Sequence, residues 1–211
     1  METGMNVSCK EFVETLASSA PTPGGGSACA LVGAIGAALG HMTGALAEGK
    51  ARYAAVQDDL VRLCGQIKAV SDKLLLLAER DEAAFLPLSA AYRMPSATPE
   101  EKAAKDAALQ AALLEATEVP LEIMRQSAAA LPLLQELALK GSVMALSDAG
   151  VGAYCCRAAL SGAALNVFVN VRAMADAEKA ESMATEAEGL LRRWEGEAER
   201  LARYVADSLR E

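Results

Sequence analysis

The sequence has few of the residues from which β-sheets and metal sites are usually built. Aromatic side chains make up 4% of the 211 residues and histidine occurs once, as His41, whereas 53% of residues are hydrophobic. Sheets favour β-branched and aromatic residues, while closely packed helices favour the alanine that recurs in nearly every segment. We therefore predict an all-α fold, an up-and-down bundle of long helices forming a single domain over 1–211.

Several classes of function are excluded by what is missing. The five cysteines include no Cys-x-x-Cys pair, and one histidine cannot complete a usual zinc site. The net charge of −8 comes from interspersed acidic and basic residues, with no basic stripe for nucleic acid. We expect no metal and no nucleic-acid partner. We see no signal peptide, and we expect reduced cysteines in a cytoplasmic protein.

Capping and stop signals divide the chain into helices. Ser8 with Glu11, and Thr98 with Glu101, each form the capping-box pattern, and Gly141 is a stop signal. We predict a short first helix after Ser8, and further helices over 27–48, 51–93, 98–117, 120–139, 148–176 and 178–208.

The apolar run at 28–47 is long enough to cross a membrane, but it is mostly alanine and glycine and contains His41 and Thr43. A central helix of the bundle fits better, and we expect no membrane partner; a membrane-inserted dimer is the alternative. Two stripes lie on nearly opposite sides of this helix, a bulky one (Ile35, Leu39, Met42, Leu46) and a small one (Gly33, Ala37, Gly40, Gly44). We predict that the bulky stripe fills the core and that the small stripe admits a second backbone, so that the helix is buried on both sides.

The glycines before this helix have two interpretations. Gly24, Gly25, Gly26 and Ser27 place flexible backbone and unpaired N–H groups at the positive end of the helix, where a ligand oxygen can bind. The lysine that follows the glycines of a P-loop is missing. The alternative is a tight turn in which Ser27 caps the helix.

Asp81 occupies an unexpected position in the third helix. Apolar residues repeat there at heptad-like spacing, and Asp81 falls next in register (Val56, Leu60, Leu63, Ile67, Val70, Leu74, Leu77). An aspartate on such a seam faces the interior, where desolvation raises its pKa, as general acid–base work requires. A structural salt bridge or a helix-packing contact is the alternative.

Polar residues also interrupt the apolar helix predicted at 148–176. Ser147 and Asp148 have the pattern of an N-cap pair, and Asn166 and Asn170 lie one turn apart on one face. Buried asparagines need hydrogen-bond partners. Three arrangements could supply those partners: hydrogen bonds between helices, a polar seam between subunits, or a row of polar side chains that faces a ligand.

Four segments together resemble the cyclodeaminase/cyclohydrolase family, and they span nearly the whole chain. They are "PTPGGGSACALVGAIGAAL", "RDEAAF", "MPSATPEEK" and "SDAGVGA…GAALNVFVNV". The resemblance implies a dimeric all-α fold with a folate site in a cleft between helices. Asp81 matches the family's proposed catalytic aspartate, and Gly24, Gly25, Gly26 and Ser27 match its glycine-rich signature. Five further residues stand at positions that resemble the family's motifs, and the resemblance implies that they bind the substrate: Lys50, Ser147, Asp148, Asn166 and Asn170.

The resemblance implies hydrolysis of 5,10-methenyltetrahydrofolate to 10-formyltetrahydrofolate, with a homodimer as the assembly and no cofactor beyond the folate substrate. A 5-formiminotetrahydrofolate cyclodeaminase that releases ammonia is the first alternative. Ser96 and Ser142 stand where the family commonly has lysine and asparagine. A helical folate-binding protein without turnover is therefore the alternative from another class.

Overall fold

The computed structural model describes residues 7–210 and contains six α-helices in that range, with no strand. Their bounds are α1 Cys9–Leu16, α2 Gly25–Ala45, α3 Gln57–Tyr92, α4 Pro99–Lys140, α5 Leu146–Val171 and α6 Ala177–Ser208. Short 3-10 helices at Ala51–Val56 and Val143–Ala145 precede α3 and α5. The predicted all-α class is confirmed.

The predicted capping boxes are present, since the side chains of Ser8 and Thr98 accept from the N–H groups of Glu11 and Glu101. Other predicted boundaries were wrong. α2 begins at Gly25 with Gly24 as its N-cap, so Ser27 is not the cap. Packing also keeps α4 continuous through Pro120, where the sequence predicted a break between two helices.

Contacts at the glycines of α2 show the directions of the helices in the bundle. Gly26 lies beside Asp81 and Gly40 beside Ile67, so α2 and α3 run antiparallel. Gly33 lies beside Ser127 and Gly40 beside Leu134, so α4 runs parallel to α2. α5 is antiparallel to α2, because Gly25 lies beside Asn166 and Gly36 beside Gly152, and α6 packs on α4 and α5. The predicted up-and-down bundle is confirmed, with α2 packed on α3, α4 and α5.

The predicted seam of α3 faces the core. Val70 is 9% exposed, and the other seam residues from Leu60 to Leu77 are fully buried. Ala84 and Leu88 continue the buried line beyond Asp81. The heptad spacing therefore identified the buried side of α3 correctly and placed Asp81 on it.

α2 is the predicted central helix, but within this chain its small stripe, and not the predicted bulky stripe, faces the core. Its small stripe packs against α3 and α4, because a glycine lets large side chains such as Ile67 and Leu134 approach the helix backbone. The bulky stripe faces outward, with Ile35 47%, Met42 39% and Leu46 42% exposed.

α5 and the 3-10 helix that precedes it add further exposed apolar side chains. Together they form one surface, which we call the α2–α5 face (Ile35, Met42, Leu46, Val143, Met144, Val151, Tyr154, Leu165, Val169). The segments Gly25–Ala45 and Val143–Val171 are long and apolar enough to cross a membrane, although core helices of soluble proteins meet the same criteria.

Candidate active site

Asp81 lies where α3 meets the N-terminus of α2. The Ser27 hydroxyl donates to Oδ2 of Asp81 at 2.9 Å, and the backbone N–H of Ser27 donates to the same carboxyl group. Ser27 is fully buried. A Cβ on Gly26 would lie 2.5 Å from Cγ of Asp81, so only glycine leaves room for the carboxyl group there. The predicted glycine signature and the predicted aspartate therefore form one unit.

Burial raises the pKa of Asp81 above its ordinary value, and the two hydrogen bonds from Ser27 partly offset that rise. Desolvation penalises the charged carboxylate, whereas donated hydrogen bonds stabilise it. The neighbouring thiol of Cys29 has its pKa raised to about 11, by burial and then by the charge of Asp81. Cys29 is thus a neutral thiol near neutral pH, and the titrating group of this site is the aspartate.

Two asparagines of α5 lie opposite the glycines. Pro120 has no N–H to bond the Ala116 carbonyl one turn earlier in α4, and Nδ2 of Asn170 donates to that carbonyl at 2.7 Å. Nδ2 of Asn166 donates to the Gly162 carbonyl at 3.2 Å. These bonds fix both side chains and leave their Oδ1 atoms as acceptors beside the cavity.

A cavity of about 180 Å³ joins these groups. Its lining comprises Pro21, Thr22, Gly24, Gly25, Gly26, Asp81, Phe85, Ala116, Asn166, Val169 and Asn170. Among residues 7–210, none that lines this cavity carries a positive charge. The first N–H groups of α2 belong to Gly25 and Gly26 and have no carbonyl partner within the helix, so the wall supplies donors, acceptors and one carboxyl group.

Sequence reasoning missed part of this wall. Phe85 lies four residues after Asp81 and Val169 three after Asn166, so helical spacing could have identified both. Ala116 carries no such signal, because its position depends on the packing of α4 against α5.

The structure does not bring Lys50, Ser147 and Asp148 to this cavity. Lys50 is exposed beyond the C-terminal end of α2, about 30 Å from Gly25 by the rise of the helix. Ser147 and Asp148 lie in the first turn of α5, where the N-cap is Ala145 and not the predicted pair. Eighteen residues, about 27 Å, separate Asp148 from Asn166. Within one chain these residues form a second group at the opposite end of the bundle.

A groove of about 440 Å³ between α3 and α4 is larger than the Asp81 cavity but chemically poorer. Alanines and Pro87 make up most of its wall, and its two charged residues, Arg80 and Glu115, pair with each other at 2.6 Å. In residues 7–210, no three His, Cys, Asp or Glu side chains are grouped to hold a metal ion. The Asp81 cavity is therefore the better candidate for chemistry.

Comparison with known proteins shows the family to which the chain belongs. A family model described as formiminotransferase-cyclodeaminase matches residues 8–189. The chain is 42% identical over 186 residues to a methenyltetrahydrofolate cyclohydrolase of Methylorubrum extorquens, covering 88% of this chain and 89% of that protein. It is 35% identical over 172 residues to the formimidoyltransferase-cyclodeaminase of Rattus norvegicus, covering 82% of this chain and 32% of that longer protein.

A solved structure shares the whole fold. The crystal structure of a formiminotetrahydrofolate cyclodeaminase from Thermotoga maritima matches with a TM-score of 0.84 and 29% sequence identity. The match covers 97% of this chain and 98% of that one. The chain therefore belongs to the formiminotransferase-cyclodeaminase family.

Proposed function

We propose that this protein is a folate one-carbon enzyme that hydrolyses 5,10-methenyltetrahydrofolate to 10-formyltetrahydrofolate, with Asp81 as its general acid–base. The observation that carries the proposal is the Asp81 carboxyl group, held by Ser27 inside a cavity lined by glycine N–H groups and two asparagines. The 42% identity to a cyclohydrolase, over most of both chains, favours hydrolysis.

The substrate carries a positive charge on its amidinium group, and the Asp81 carboxylate attracts that charge in a partly desolvated site. Water attacks the amidinium carbon while Asp81 takes one proton from the water. Asp81 then returns that proton to the ring nitrogen N5, the bond from carbon to N5 breaks, and the hydroxyl of the adduct loses its proton to solvent, which leaves a formyl group on N10. The overall reaction consumes one water and releases one proton.

The other lining groups hold the pterin. The N–H groups of Gly25 and Gly26 are suited to a carbonyl oxygen, and the Oδ1 atoms of Asn166 and Asn170 are suited to ring and amino N–H groups. Phe85 offers an apolar ring surface. Acid–base help from Asp81 contributes about 10²–10⁴-fold to the rate. The rest of the rate enhancement comes from holding the amidinium carbon and the water beside Asp81.

Cyclodeaminase activity is the second candidate, because the Thermotoga maritima neighbour is named for it. In that reaction N10 attacks the formimino carbon, Asp81 transfers the proton lost from N10 to the formimino nitrogen, and the bond from carbon to that nitrogen breaks to release ammonia. Purified protein assayed with both folates decides between them. We expect turnover of 5,10-methenyltetrahydrofolate to exceed ammonia release from 5-formiminotetrahydrofolate; turnover of neither would refute the proposal.

Ser27→Ala is expected to shift the acid limb of the pH–kcat profile to higher pH. The hydroxyl of Ser27 lowers the pKa of Asp81, so its loss raises that pKa, and the reactive carboxylate then forms only at higher pH. The matched control is Ser71→Ala, which removes a hydroxyl bonded to the Ala34 carbonyl at 3.1 Å and should leave the profile in place. An unshifted profile for Ser27→Ala would contradict the assigned role of Asp81.

A further inference from the structure

Three prolines lie inside the long helices, and one of them differs from the other two in its surroundings. Pro87 in α3 and Pro132 in α4 are exposed, whereas Pro120 in α4 is buried. A proline inside a helix is unfavourable, because it lacks the N–H group that bonds the carbonyl four residues earlier. Each proline therefore leaves one carbonyl free. Of these three carbonyls, only that of Ala116, freed by Pro120, belongs to a residue that lines the Asp81 cavity.

The free carbonyl determines which way the side-chain amide of Asn170 points. A carbonyl oxygen only accepts hydrogen bonds, so the atom of Asn170 that approaches it at 2.7 Å must be the donor Nδ2. Turning the amide over would place Oδ1 against the carbonyl oxygen of Ala116, a residue that is only 7% exposed, and would leave that carbonyl without a donor. A buried carbonyl without a partner is unfavourable. Oδ1 is therefore the atom that Asn170 offers to the cavity.

Asn166 shows the difference that a free carbonyl makes. Its Nδ2 donates to the Gly162 carbonyl at a longer distance, 3.2 Å. That carbonyl lies inside α5 and also receives the backbone N–H of Asn166, because helical hydrogen bonds join residues four apart. The Gly162 carbonyl would keep this donor if the side-chain amide of Asn166 turned over. The orientation of Asn170 is therefore the more strongly fixed of the two.

We propose that Pro120 is a positioning residue, which acts through the Ala116 carbonyl to hold Asn170 as a hydrogen-bond acceptor for the ligand. Pro120 does not line the cavity itself. The part of the ligand that meets Asn170 must carry an N–H donor, as the amino group and the ring N–H groups of a reduced pterin do. The inference rests on the proposed function for the identity of the ligand, and it adds a residue that determines how the ligand is bound.

Thermal unfolding tests the link between these residues without any folate. Asn170→Ala removes the donor to the Ala116 carbonyl and should lower the unfolding temperature by about 4 °C, a typical shift for one unpaired buried group in a chain of this size. In a Pro120→Ala background the substituted residue supplies an N–H for that carbonyl. The same Asn170→Ala change should then lower the unfolding temperature by less than half as much. Equal decreases in the two backgrounds would overturn the link.

The matched control is Pro132→Ala, which removes an exposed proline from the same helix about 18 Å further along. Asn170→Ala should lower the unfolding temperature as much in this background as in the parent protein. A decrease as small as in the Pro120→Ala background would show that removing any proline from α4 has this effect, and would overturn the specific role of Pro120. Circular dichroism verifies that each variant keeps its helical content.

Kinetics test the role in the site. Pro120→Ala should raise the KM for 5,10-methenyltetrahydrofolate about fivefold, a usual contribution of one hydrogen bond, with kcat within about twofold of the parent protein. The double variant Pro120→Ala/Asn170→Ala should have the KM of Asn170→Ala alone, because the residue through which Pro120 acts is gone. Pro132→Ala should keep the parental KM. An unchanged KM in Pro120→Ala, or a further rise in the double variant, would overturn the role of Pro120 in binding.

The two experiments separate this inference from the proposed function. If the parent protein turns over neither folate, the proposed function fails, and the unfolding temperatures still decide whether Pro120 orients Asn170. If the parent protein turns over 5,10-methenyltetrahydrofolate and Pro120→Ala has the same KM, the proposed function stands and the role of Pro120 is refuted.

Discussion

Replacing Asp81 with asparagine is expected to lower kcat by about 100- to 10,000-fold, the usual contribution of a positioned acid–base group. The amide has the shape of the carboxyl group, and its oxygen can still accept from the Ser27 hydroxyl and N–H. It cannot take a proton from water at neutral pH. Loss of 5,10-methenyltetrahydrofolate absorbance measures the effect.

The matched control is Asp72→Asn on the same helix, where the side chain is 56% exposed and paired with Lys68. This variant should keep parental kcat. The thermal unfolding temperature of Asp81→Asn should equal or exceed that of the parent, because a neutral amide has a smaller desolvation cost than a carboxylate. Asp81→Asn with at least half of parental kcat would refute the catalytic role.

Gly26→Ala is expected to lower kcat by about 100-fold or more without any change to a titrating group. The added Cβ would overlap the Asp81 carboxyl group, 2.5 Å from its Cγ, so the carboxyl group must move. Displacing a reacting group by about 1 Å can cost about 100-fold in rate. The same absorbance assay, with circular dichroism to verify folding, measures the change.

Alanine substitutions at two other glycines serve as controls for Gly26→Ala. A Cβ on Gly25 would meet Asn166 at an ordinary 3.6 Å, so Gly25→Ala should lose clearly less activity than Gly26→Ala. Gly189 in α6 has open space around it, and Gly189→Ala should keep parental kcat. Equal kcat in Gly26→Ala and Gly189→Ala would show that the carboxyl position does not govern the rate.

The sequence predicted the main features of the fold because helical spacing is a local property. The seam of α3 gave both its buried side and the inward position of Asp81. The same reasoning failed for α2. The sequence shows that this helix has a bulky face and a small face, but it does not show which of the two packs against the core. The outcome depended on the neighbours, since α3 and α4 bring large side chains that only the glycine stripe can admit.

The candidate site was predictable only in part. Asp81 and the glycine signature were both identified, but their contact, with Ser27 donating to Asp81, depends on how α2 packs against α3. Asn170 was identified as a polar residue needing a partner. Its partner, the Ala116 carbonyl left free by Pro120, follows from a continuous α4 that the sequence analysis had broken at that proline.

The central claim is that Asp81 faces the reacting carbon of a folate, and the structure of Asp81→Asn crystallised with 5,10-methenyltetrahydrofolate tests it most directly. We expect the pterin in the cavity between Gly25 and Asn166, with the amide of residue 81 about 3–3.5 Å from the amidinium carbon or from a water beside it. A pterin bound instead in the groove between α3 and α4, with the Asp81 cavity empty, would contradict the claim.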